Sequence, residues 1–163
     1  MKTLLKLALI VVGIVSAAQP ALAQTAKVGT FDRASIVVAF YGSPLWAAEL
    51  KAKEAEIEQA RQANDQKKID ELKRWGRDAQ ELAHKQLSVE AGIDNILEMM
   101  KPMLTAVAAQ AHVMTVVPEI PGAKDAAATV DVTGLLLDQL QASAKTRQII
   151  EELRKSQKEG GSR

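Results

Sequence analysis

Two β-prone runs in this chain are held more than 70 residues apart by sequence that reads almost entirely as helix. The first, Lys27 to Phe40 (KVGTFDRASIVVAF), opens with Val28 and Thr30 alternating with Gly29 and Phe31. Ile36-Val37-Val38 then adds β-branched residues. Its second half stays open between strand and helix, because Asp32 or Ser35 is placed to start a helical turn. The second run, Val113-Met114-Thr115-Val116-Val117, is ended by Pro118 and Pro121-Gly122. A loop over Ala123 to Ala128 leads to a third run, Thr129-Val130-Asp131-Val132. Strands this far apart pair only if the helices leave the sheet and come back. The predicted class is α+β, predominantly helical: a small β body with a projecting α-helical hairpin arm.

The excursion begins at Ser43-Pro44, where Ser caps the free N–H groups and Pro suits the first helical position. Apolar residues then recur in threes, fours and sevens: Trp46, Leu50, Ile57, Ile69, Leu72, Ala79 and Leu82. That narrow stripe is closer to a coiled-coil seam than to the wide face of a globular helix. Glu49–Lys53, Asp70–Arg74 and Glu81–Lys85 are spaced as stabilising i, i+4 pairs. Two places suit the reversal. Gln62-Ala63-Asn64-Asp65 has the turn chemistry and gives limbs of about 19 residues, roughly 28 Å. Trp75-Gly76-Arg77 carries the segment's glycine and gives better matched limbs of about 32 residues, roughly 48 Å. Leu87 to Gly92 breaks the pattern, Asp94 is placed to cap a third helix ending near His112, and Pro102 should kink or divide that helix. After the third strand, Thr133 is placed to cap a helix to Leu140, Ser143 to Gln157 continues as helix, and Lys158 to Arg163 is a polar tail expected to be disordered.

The N-terminus reads as a cleavable export signal. Lys2 and Lys6 precede an apolar run from Leu7 to Val15, and Pro20 precedes Ala21-Leu22-Ala23, a small-x-small pattern with cleavage expected after Ala23. The run is too short for a permanent span, which needs about 20 residues. Removing residues 1–23 takes away two lysines, leaving 19 basic against 20 acidic residues and a net charge of −1. That balance argues against a nucleic-acid partner. With no cysteine, an exported chain must be stabilised without disulfides. With two Trp, two Phe and one Tyr, it is also short of the rings that build one thick core. The expected organisation is a signal over 1–23, the first strand of the body within 24–42, the arm over 43–112, the rest of the body over 113–140, and a helical extension with its tail over 141–163.

Catalytic chemistry is hard to find. His84 and His112 are 28 positions apart with no Cys to join them in a metal site. No GxSxG, HExxH or Gly-rich phosphate loop is present. Ser35 and Ser43 lack a nearby His, and Asp32 reads as a turn or cap residue. Met99, Met100 and Met103 form a soft cluster that reads as packing before it reads as a binding surface. These residues predict neither an enzyme nor a cofactor.

The opening KVGTFDRASIVVAF followed by Ser43-Pro44 resembles the start of the Skp (OmpH-family) periplasmic chaperones, in which a strand leads into a first helix. VMTVVPEI is similar to that family's second long strand, reached after the helical arms, and TVDVTGLLLDQL to its closing strand and helix. The resemblance covers Lys27 to Leu140 and implies a homotrimer in the periplasm that holds unfolded outer-membrane proteins without nucleotide, with peripheral contact to the membrane. The competing expectation is an envelope scaffolding protein of the same fold with one specific partner. Either way the body core is expected at Val28, Phe31, Val37, Val116, Val130, Val132 and Leu136. Client contacts are expected along the arm at Trp46, Leu50, Ile57 and Trp75. The family is commonly basic, and this chain departs from it in being near neutral.

Overall fold

A computed structural model describes residues 27–119 and 129–160. The signal expected over 1–23 and the loop over 123–128 lie outside the described residues. The chain runs β1 (Val28–Phe31), α1 (Arg33–Tyr41), α2 (Pro44–Gln62), α3 (Gln66–Leu87), α4 (Asp94–Gln110), β2 (Thr115–Pro118), β3 (Thr129–Asp131), α5 (Thr133–Gln139) and α6 (Ala144–Gly160). It is predominantly helical around a small three-stranded parallel sheet.

β1 is the central strand, in the order β2-β1-β3. Val28 pairs with Thr115 and Thr129, and Gly29 with Val116 and Val130. Residues paired in parallel register point to the same face, and successive residues alternate. Gly29, Phe31, Val116 and Val130 therefore share one face, where Phe31 is buried and Val116 and Val130 pack against the core. Val28 lies on the opposite face with Thr30 and Val117, half-buried, and does not join the core expected for it. Gly29 permits the close approach of β2: a Cβ there would stand 3.1 Å from methyls of both Val113 and Val116.

The second half of the first run is helix. Asp32 caps it, accepting from the Ser35 amide at 2.9 Å and from the Ser35 hydroxyl. Ile36, Val37, Ala39 and Phe40 are all buried, so α1 is a core helix packed against α5, α6 and the root of the hairpin. A helix apolar on most sides is one that is surrounded. Around it close Ile93, Ile96, Met100 and Val107, together with Val132, Leu136, Leu137, Leu140 and Ile150. Met99 and Met103 pack partly buried against this core.

The chain reverses at Ala63-Asn64-Asp65, and Gly76 sits inside an unbroken α3. Asn64 takes φ 54° while the Asp65 amide reaches back to the Ala60 carbonyl at 2.9 Å, the closing bond of a Schellman turn. Asp65 then caps α3 by accepting from the Lys68 amide at 2.9 Å. Turn chemistry decides over limb symmetry because it satisfies the orphan groups of both helix ends at once. α4 runs unbroken through Pro102, which stands on its exposed side, where the carbonyl left without an amide partner can meet water. Asp94 is the first residue of α4 and Ile93 its cap; Thr133 is the first residue of α5 and bonds, through its amide and hydroxyl, to the Asp131 carboxylate at 2.8 and 2.6 Å. α6 carries on to Gly160, past the start of the expected tail. Of the three expected ion pairs, Glu81–Lys85 forms at 2.6 Å, while Lys53 turns to Glu56 and Asp70 accepts instead from Gln66.

Candidate functional site

Four of the chain's five aromatic rings meet at the root of the α2–α3 hairpin. Phe40 and Tyr41 end α1, and Trp46 follows one turn into α2, because the Gly42-Ser43-Pro44 connection is short and tightly capped. The Ser43 hydroxyl donates to the Phe40 carbonyl at 2.6 Å and accepts from the Trp46 amide at 3.3 Å. Trp75 comes from α3. Tyr41 and Trp46 meet edge to face at 5.1 Å, and Trp46 and Trp75 stack with centroids 5.9 Å apart. Such pairs contribute about 0.5–1.5 kcal/mol beyond the area they bury.

Beside the rings an open crevice of about 460 Å³ runs between the hairpin and the start of α4. Tyr41, Trp46, Trp75, Leu82 and Met99 form its apolar wall; Glu49, Glu71, Arg74 and Asp78 supply its charge. Its floor is held by a hub that sequence reading passes over. Gln86, on what looks like a solvated helix, is 1% exposed. Its Oε1 accepts from the Tyr41 hydroxyl at 2.8 Å, and its Nε2 donates to the Gly92 carbonyl at 2.8 Å and Asn95 Oδ1 at 2.6 Å. One amide thus ties α1, α3, the connection after α3 and α4 together, with its polar groups satisfied. Burial raises the Tyr41 pKa above the ordinary phenol value, and the Asn95 side chain partly opposes that rise.

Of the expected client residues, the structure brings Trp46 and Trp75 together in this crevice. Leu50, exposed, and Ile57, half-buried, stand further along α2 and do not line it. Tyr41, Gln86, Arg74 and Asp78 were not legible as site residues. The one available signal was indirect: in a chain with so few rings, Tyr41 and Trp46 fall five positions apart across a predicted helix start.

The carboxyl ends of the parallel strands form a second polar cluster, where open parallel sheets often bind ligands. Asp32 and the Ser35 hydroxyl face Arg154 Nε at 3.4 and 3.0 Å, and the Asp32 amide donates to Thr133 Oγ1 at 2.9 Å. These contacts lock α6 and α5 to the end of β1. His84 and His112 are exposed and far apart in sequence, and among the described residues no group of His, Cys, Asp or Glu is placed to hold a metal ion. Nor is any described helix long and apolar enough to cross a membrane. Compared with known proteins, the chain matches no family model, no curated protein and no solved structure.

Proposed function

We propose that the chain is a nucleotide-independent holdase for unfolded outer-membrane proteins in the periplasm. It works as a homo-oligomer, a trimer by its resemblance to the Skp family, with the α2–α3 hairpin as its arm. The observation that carries the reading is the placement of that hairpin. It is inserted between two neighbouring parallel strands, and its root sets three of the chain's five aromatic rings, Tyr41, Trp46 and Trp75, along an open crevice. Many weak contacts of this kind, repeated on each subunit, give avidity without one tight site. The half-buried sheet face carrying Val28, Thr30 and Val117 offers apolar surface for association between copies. A second reading, an envelope scaffold with one partner, draws support from the crevice being compact and confined to the root. Dilution of a urea-unfolded outer-membrane β-barrel into the purified chain, without nucleotide, separates them. The holdase suppresses the light scattering of aggregation and gives a complex of oligomer-plus-client mass after gel filtration. Unchanged scattering with a stable oligomer discards the holdase and leaves the scaffold.

A further inference from the structure

The crevice has an uneven charge. Three carboxylates line it, Glu49, Glu71 and Asp78, against one guanidinium, Arg74, a net charge of −2 at neutral pH. Its wall is built from indole and phenol rings, whose electron-rich faces attract a cation within about 6 Å of the centroid. The chain already uses one of them so: Lys53 Nζ stands 5.8 Å from the Trp75 centroid while bonded to Glu56 at 2.7 Å. Mutual packing of the rings accounts for their clustering. It gives no reason for three acidic side chains to surround them: Glu71 reaches the distant Lys67 at 4.0 Å, Glu49 acts on Lys53 only through its charge, and Asp78 has no ion-pair partner among the described residues.

We infer that this crevice binds the arginine and lysine side chains of an extended client segment. The inference rests on the holdase reading and names the class of segment it captures: basic, in a polypeptide without fixed structure. A volume of about 460 Å³ suits one or two side chains, not a folded domain. Arginine fits better than lysine, because its planar, weakly hydrated guanidinium stacks on a ring while its donors reach carboxylates at the rim. Acidic segments meet three like charges and are rejected.

The two tryptophans of the chain both stand at the crevice, so intrinsic fluorescence reports this site and no other. The probes are three synthetic peptides of equal length and apolar content, carrying arginine, glutamine or glutamate at the same positions. The arginine peptide binds at least about fivefold more tightly than the glutamine peptide, as expected for one cation–π contact with charge support. The glutamate peptide binds more weakly still, and raising the salt concentration narrows the gap. Glu71→Gln combined with Asp78→Asn, both on the exposed side of α3, removes most of the arginine preference and leaves the melting temperature unchanged. Equal affinity for the three peptides, or a preference indifferent to the double substitution, overturns the inference. Its failure is distinct from failure of the holdase: suppressed barrel aggregation with no arginine preference keeps the holdase and removes this specificity. Arginine binding without suppression keeps the cation site and removes the holdase.

Discussion

Asn64, Val89, His112 and Gln141 all adopt positive φ, between 53° and 67°, and each follows the last turn of a helix. In each case the next amide reaches back five residues, as Glu90 does to the Lys85 carbonyl at 2.8 Å and Val113 to Ala108 at 3.0 Å. These are Schellman turns made without glycine. Asn tolerates the left-handed region, which is why Asn64 stood as one of the two candidate reversals in the sequence. Val89 does not, since a β-branched side chain clashes there. Val89→Gly should therefore stabilise the chain by roughly 0.5–1 kcal/mol, the strain relieved less the entropy that glycine adds to the unfolded chain; urea unfolding measures it, and an unchanged midpoint would count against strain at this turn. Tyr41 offers a second check, because it is the chain's one tyrosine. Its pKa is raised by burial, so its contribution to stability is present below the unfolded value of about 10 and is lost as pH climbs through the folded value. Ultraviolet titration of tyrosinate should give an apparent pKa above that of the urea-unfolded chain. Matching values would mean that the hydroxyl is solvated and the Gln86 hub open.

At the scale of elements, sequence periodicity located the helices because caps and stripes are local: Ser43-Pro44 and the Trp46, Leu50, Ile57 spacing needed no tertiary context. It left open the points that tertiary context decides. Ile36-Val37-Val38 has strand propensity, yet burial on most sides and the Asp32 cap make it helix. Gly76 was one of two candidate turns because glycine weakens helices, but the Asn64-Asp65 pair offers better hydrogen bonding twelve residues earlier, and α3 absorbs the glycine. A Cβ at Gly76 would meet nothing within 4 Å. Gly76→Ala should accordingly add about 0.5–1 kcal/mol to stability, read as a rise in melting temperature with unchanged light-scattering mass. A fall would mean that α3 bends at this point in solution. The crevice was half legible for a related reason. Trp46 and Trp75 stood out as large apolar residues, whereas Gln86 and Asp78 look like any solvated helix residue until α4 is packed beside them.

For the whole molecule, one face of the sheet packs on the core and the other is left half-buried, and alternation along β2 separates them. Val116→Asp puts a carboxylate against the core and should abolish cooperative folding. Val117→Asp, one residue on, faces the other way and should leave the helical circular dichroism intact; on the homo-oligomer proposed above, it should also lower the light-scattering mass to that of the monomer. An oligomer that survives Val117→Asp would move the interface off this face. The central place of β1 reaches further, into how the chain folds. β1 is the first of the three strands along the chain, and its partner residue Thr115 follows 87 positions after Val28. Closing so long a loop costs entropy before the strand pairing repays it. Helices form within microseconds, so α2 and α3 can close on each other long before β1 and β2 pair. The hairpin is then a clamp in time: by folding early it brings its own ends together and shortens the search that β1 must complete.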